Sequence, residues 1–237
     1  MTEGIRVLSI TAASVALLHT LLGPDHYLPF IVMSKAGRWS MLKTIWVTFL
    51  SGVGHVTGSV ILGLLGVGFG LGVNKLTNLE SGRGSLAAWM LIAFGFAYLI
   101  WGIRRVYKNK KHSHLHVHDD GTYHTHIHNH KKDHLHLHED KVNKKLTPWV
   151  LFVIFILGPC EPLIPIVMYP AAEHDYLGLI WVTVIFGVIT ILTMLSVVVV
   201  STYGFNFLPL GKLEKYAHAL AGGTILLSGL AIVLLGL

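Results

Sequence analysis

Six long apolar stretches, separated by short polar segments, make up most of the chain. They run Ile5–Met33, Met41–Val73, Ser85–Val106, Leu146–Tyr169, Tyr176–Tyr203 and Tyr216–Leu237. A helix needs about 20 apolar residues to cross a hydrocarbon core of about 30 Å, so each stretch is long enough. The pattern predicts an all-α membrane protein with six transmembrane helices. Two of the six carry internal breakers. The first would be roughly 43 Å long as one straight helix, and Pro24 and Pro29 predict that it breaks instead. Pro159, Pro162 and Pro165 predict the same for the fourth. The first stretch does not read as a cleaved signal peptide, because Glu3 flanks it and polar residues continue through His19 and Asp25.

Composition agrees with the pattern. Apolar residues are 53% of the 237 and charged residues only 13%, about half the charge of an ordinary soluble domain. That excludes a disordered chain and argues against a soluble globule. The single cysteine, Cys160, excludes an intrachain disulfide framework. The formal charge of +6 does not imply a nucleic-acid partner, because the placement of the charges matters more than their sum. Fifteen of the 18 Lys and Arg fall in the first, third and fifth connections. The positive-inside rule then predicts a multi-pass plasma (inner) membrane protein with that side cytoplasmic and both termini outside. Three regions follow: a three-helix unit over 1–106, a cytoplasmic His-rich loop over 107–145, and a second three-helix unit over 146–237.

The two units repeat one another. Residues Gly23–Ala36 align without gaps onto Gly158–Ala171, with seven of 14 positions identical at an offset of 135. The same offset brings Trp46-Val47-Thr48 onto Trp181-Val182-Thr183 and Gly52 onto Gly187. At an offset of 134, Gly95 falls on Gly229. A unit of three spans is odd, so the second must enter the membrane from the other side. The expected architecture is a 3+3 inverted repeat with broken first and fourth helices, which in secondary transporters places the substrate site near the midplane at the repeat interface.

Both duplicated breaks carry ionisable residues. Within the six stretches the acidic residues are Asp25 and Glu161. The repeat sets Asp25 against Cys160 and His26 against Glu161. His55 adds an imidazole from the second span. His19 precedes His26 by seven residues, about 10 Å along an unbroken helix, so either the Pro24 kink shortens the gap or His19 is a second station. Ionisable groups at bilayer depth are costly and mark function. Imidazole, thiolate and carboxylate together favour Ni, Co, Zn or Cu. Asp25, His26, His55 and Glu161 are the expected metal site, with His19 and Cys160 as further candidate ligands.

Eleven of the 16 histidines lie in the third connection: His112, His114, His116, His118, His124, His126, His128, His130, His134, His136 and His138. All are even-numbered, which is the period of a strand. A three-residue loop at Asp119-Asp120-Gly121 fits a type I turn plus a bulge, pairing His116 with His124 and His114 with His126. The alternative is a metal-chelating low-complexity loop without fixed structure. Either form would capture transition metals, and capture should weaken in acid as protons compete.

The segment His19-Thr-Leu-Leu-Gly-Pro-Asp-His26 resembles the first-helix signature of the nickel/cobalt transporters. Five residues separate His19 from the Asp-His pair, which is similar to the NicO-type nickel/cobalt efflux and urease-accessory-like branch. Ser51-Gly-Val-Gly-His55, Gly158-Pro-Cys-Glu-Pro162 and the His-rich loop resemble that branch as well. The resemblance implies metal ligands at His19, Asp25, His26 and His55, and a link to nickel enzymes such as urease or hydrogenase. The resulting expectation is a non-enzymatic secondary transporter of divalent transition metals, Ni²⁺ or Co²⁺ ahead of Zn²⁺ or Cu, with export slightly ahead of uptake and no permanently bound cofactor. Its partners would be the lipid bilayer and the metal ions, with no nucleic acid, and homo-oligomerisation left open. The alternatives are a sulfite-exporter-type anion transporter and a non-transporting metal buffer. A membrane thiol oxidoreductase, some of which are also inverted three-span repeats, would need two cysteines, and Asp25 stands where the second should be.

Overall fold

In the computed structural model, residues 3–108, 112–117, 123–128, 143–206 and 211–235 are described. The chain begins with α1 (Glu3–Leu22), a 3-10 turn (Pro24–His26) and α2 (Leu28–Ala36). Two long helices follow, α3 (Met41–Gly68) and α4 (Val73–Lys108). A hairpin of β1 (His112–Val117) and β2 (Tyr123–His128) leads to α5 (Asn143–Leu157) and α6 (Leu163–Ala172). The chain ends with α7 (Tyr176–Asn206), a 3-10 segment (Gly211–Tyr216) and α8 (Ala217–Leu235). Apart from the hairpin, every element is helical.

Five helices among the described residues are long and apolar enough to cross a membrane: α1, α3, α4, α7 and Leu213–Leu235, which contains α8. The expected fourth span is instead two shorter helices, α5 and α6, of 15 and 10 residues. Large side chains such as Leu22, Phe69, Leu177 and Val200 stand exposed on the outside of the bundle. An outward apolar face of that extent suits lipid, not water. The protein is a multi-pass membrane protein.

Both expected breaks occur at their Gly-Pro pairs. At the first, Gly23 N–H still closes a helical bond to the His19 carbonyl at 3.0 Å. Pro24 has no N–H to donate, and the chain tightens into a 3-10 turn with His26 N–H on the Gly23 carbonyl at 3.0 Å. At the second, Pro159 and Pro162 remove two donors, and α6 restarts with Leu163 N–H on the Cys160 carbonyl at 3.0 Å.

The third helix differs from expectation. It starts at Val73, 12 residues before Ser85, so Lys75, Glu80 and Arg83 belong to it and not to a loop. Gly82, Gly84 and Ser85 suggest a loop in the sequence, yet Leu76, Glu80, Gly84, Ala87 and Leu91 continue one buried helical face. Glu80 is tolerated there because Arg83, one turn on, neutralises it.

The most extensive helix packing is α4 against α8. Glycines line it from both sides. A side chain at Gly95 would strike the backbone of Leu226, and one at Gly222 would strike that of Leu99, so the absence of a Cβ lets the backbones approach. Elsewhere α1 packs on α7 and α5 on α3. In the hairpin, His112 pairs with His128, His114 with His126 and His116 with His124. This is the register that a three-residue loop at 119–121 predicts; the loop itself lies outside the described residues, as do His118, His130, His134, His136 and His138.

Candidate metal centre

Three histidines converge beside the first break. His19 comes from the last turn of α1, His26 from the 3-10 turn and His55 from the middle of α3. The ring centroids of His19 and His26 are 4.8 Å apart, and those of His26 and His55 are 5.1 Å apart. One ring nitrogen from each lies within 4.8 Å of the other two. The kink at Pro24 therefore closes the gap that an unbroken helix would leave. His19 belongs to the same cluster as His26 and is not a separate station.

The hydrogen bonds fix which nitrogen is free. His26 Nδ1 lies 3.1 Å from the Gly23 carbonyl and 3.2 Å from Asp25 Oδ1. His55 Nδ1 lies 3.3 Å from the Phe155 carbonyl. A carbonyl oxygen only accepts, so in both rings Nδ1 carries the proton and donates. The lone pair is then on Nε2. The Nε2 atoms of His19, His26 and His55 are all buried and lack a hydrogen-bond partner. Buried polar atoms are rarely left so, and here all three belong to rings that cluster together. Metal-ligating histidines characteristically donate their other N–H to a carboxylate or carbonyl, as His26 and His55 do. Ligands at about 2.0–2.1 Å from one ion would be roughly 3.5 Å apart, so a contraction of about 1 Å would complete the site.

The rings face a cavity of about 240 Å³. Its other walls are Asp25 and an apolar set that includes Leu22, Ala87, Leu91, Ile154 and Ile232, with Gly23 and Gly158 at the two breaks. Both repeat glycines abut the rings. A Cβ on Gly23 would sit 2.5 Å from His26 Nδ1, and one on Gly158 would sit 3.2 Å from His55 Nδ1.

The remaining expected ligands do not join the three-histidine cluster. Asp25 lines the same cavity with its Oδ1 against His26 Nδ1. Cys160 is fully buried among Ala12, Ala16, Leu163, Val167 and Phe186. Glu161 is exposed. The second break is instead pinned by Arg83, whose Nη2 donates to Ser59 Oγ at 2.6 Å and to the Gly158 carbonyl at 2.9 Å. The same Nη2 pairs with the wholly buried Glu80 at 3.0 Å. Glu80 and Arg83 were outside the expected spans and outside the expected site. Their signal in the sequence is the i,i+3 spacing of opposite charges on a face of small and apolar residues. His218, in the first turn of α8, lies 2.7 Å from the Tyr98 hydroxyl and 3.0 Å from Arg105 Nη1.

Paired helix breaks inside an apolar bundle, with buried ionisable groups at both, define a membrane protein with an internal polar site. The family it belongs to is narrower. Residues 29–231 match the cytochrome C biogenesis protein transmembrane region, and the chain is a member of that family. No curated protein and no solved structure matches the chain. The match overturns the resemblance to the NicO-type nickel/cobalt transporters, and with it the expectation of a Ni²⁺ or Co²⁺ secondary transporter. The short motifs behind that resemblance are Gly, Pro and His at helix breaks, which unrelated membrane folds reach independently under the same physical constraint. His55 and the second break lie inside the matched segment; His19, Asp25 and His26 lie just before it.

Proposed function

We propose that this member of the cytochrome c biogenesis family is a membrane-embedded transition-metal-binding protein, in which His19, His26 and His55 hold one cation where a thiol relay would otherwise operate. The observation that carries the reading is the clustering of three buried or half-buried histidines, each with a buried Nε2 that lacks a partner. Thiol–disulfide exchange argues the other way. It needs a thiolate to attack and a second sulfur to pair with, whereas Cys160 is the sole cysteine and is packed in an apolar cluster. Asp25 stands at the position that repeats Cys160. The process named by the family, cytochrome c biogenesis, is carried over to this chain as its setting.

The architecture proposed with it is the 3+3 inverted repeat, with α5 and α6 together forming the fourth span. The packing supports this: α1 on α7 is the repeat equivalent of α5 on α3, and α4 on α8 is its own. Gly95 and Gly229, equivalent by offset, both lie in the α4–α8 contact. The charge distribution supports a cytoplasmic loop, where the His-rich hairpin would collect metal for the site.

The test is metal content. Full-length protein with each loop histidine from His112 to His138 replaced by Gln is purified in detergent, exposed to Zn²⁺ or to Cu under reducing conditions, and desalted. One equivalent is expected to remain, and to be lost in His26→Ala and His55→Ala but kept in Cys160→Ser. Retention that ignores both histidines sinks the reading.

A further inference from the structure

Resting on that metal-binding reading, we infer that the site is built for a monovalent soft cation of the Cu(I) class, held by three imidazole nitrogens, and not for a divalent ion. The donor set is the first reason. One ring nitrogen from each of three imidazoles meets at the site, and no carboxylate or thiol belongs to that group. Asp25 lines the cavity but stands against His26 Nδ1 and outside the group of mutually close ligand atoms, Glu161 is exposed, and the Cys160 thiol is packed in a separate apolar cluster. A buried charge must be compensated nearby. One Asp25 carboxylate balances one positive charge. A doubly charged ion would leave one positive charge uncompensated, and ion desolvation rises with the square of the charge, about fourfold from +1 to +2.

The nearest other charges do not help a divalent ion. Glu80 and Arg83 neutralise each other at 3.0 Å, and Arg83 Nη2 donates to Ser59 and Gly158.

The coordination number is the second reason. Zn²⁺ in a protein site is almost always four-coordinate, with water in the fourth position where the chain supplies three ligands. A buried water needs two to four polar partners. Beyond the three histidines and Asp25, the cavity wall has no polar side chain; it is Ala87, Leu91, Ile154 and Ile232 with their neighbours. Asp25 is then the one side chain besides the rings that could orient a metal-bound water, short of the two to four partners such a water needs, and its Oδ1 is already engaged by His26 Nδ1. A three-coordinate d¹⁰ ion such as Cu(I) needs neither the fourth ligand nor the water. Imidazole is among the donors that suit copper.

The test uses the full-length protein with the loop histidines replaced by Gln, so that the hairpin does not compete. Anaerobic Cu(I), buffered by bicinchoninate, and Zn²⁺, buffered by a chromophoric chelator, are titrated separately. Cu(I) is expected to bind one per chain, at least roughly tenfold tighter than Zn²⁺, with the difference lost in His26→Asn and His55→Asn. Circular dichroism of each variant guards against simple unfolding, and Ag(I), which resists oxidation, serves as a second monovalent probe. Zn²⁺ binding as tightly as Cu(I) and Ag(I), still dependent on His26, would overturn the inference and leave the three-histidine site standing. Failure of all three ions to bind would overturn both.

Discussion

At the first break, Gly23-Pro24 leads into a three-residue turn that carries Asp25 and His26 to the cavity. At the second, Gly158-Pro159 leads into Cys160 and Glu161, one packed among aliphatic residues and the other exposed. The first break leaves Nε2 of His26 without a partner, beside Nε2 of His19 and His55. The second has its freed carbonyl taken up by Arg83 and gives the site apolar wall at Gly158 and Pro159 and the Phe155 carbonyl behind His55. A duplicated motif has thus split its work. One copy is left chemically open and the other is tied down by Arg83. In this reading Glu80, Arg83 and Ser59 position the second break, and the histidines bind.

Breaking the tie should have the largest effect. Removing one partner of a buried ion pair typically costs about 3–5 kcal/mol, so Glu80→Ala should sharply lower the thermal midpoint of the detergent-solubilised protein. Replacing Glu80 and Arg83 together with Leu and Met should recover much of the loss. Equal instability of the double variant would mean that the charges do more than hold the break.

The glycines test the open side against the tied one. Gly23→Ala drives a methyl to 2.5 Å from His26 Nδ1, whereas Gly158→Ala meets His55 Nδ1 at 3.2 Å. Metal affinity should fall by more than about tenfold for the first and by less for the second. The reverse order, read by chelator competition, would place the important geometry at the other break.

Asp25→Asn is expected to weaken metal binding by about 10–100-fold, the usual cost of losing a carboxylate behind a ligating histidine, with little change in thermal stability. Loss of stability without loss of affinity would make Asp25 structural.

The smallest effect belongs to the second break's own side chains. Cys160→Ser and Glu161→Gln should leave metal affinity within about twofold, since neither touches the rings. A large loss in either would return those residues to the site.

Much of this was legible in the chain. Apolar run lengths and proline positions fix the helices and the two breaks, because backbone without donors cannot stay helical in lipid. The even-numbered histidines with Asp119-Asp120-Gly121 carry the hairpin register. His19, His26 and His55 stood out because imidazoles inside spans have few bland uses. The start of α4 was not legible: Gly82, Gly84 and Ser85 suggest a loop, and only tertiary packing shows that Glu80 lies on a buried face with Arg83 to neutralise it. Nor was the exclusion of Cys160 and Glu161, since sequence equivalence to Asp25 and His26 says nothing about which way each side chain turns after its break. The family was misread for a related reason. Short motifs at helix breaks reflect the physics of broken helices, and the whole-length pattern over residues 29–231 carries the relationship.

The central claim is that three imidazoles, and no sulfur, hold a cation inside this membrane protein. X-ray absorption at the metal edge tests it directly, on full-length protein with the loop histidines replaced and one equivalent of Cu(I) added. Three nitrogen scatterers with the outer-shell signature of imidazole, vanishing in His26→Asn, are the predicted result. A sulfur scatterer that disappears in Cys160→Ser would contradict the account and return the chain to thiol chemistry.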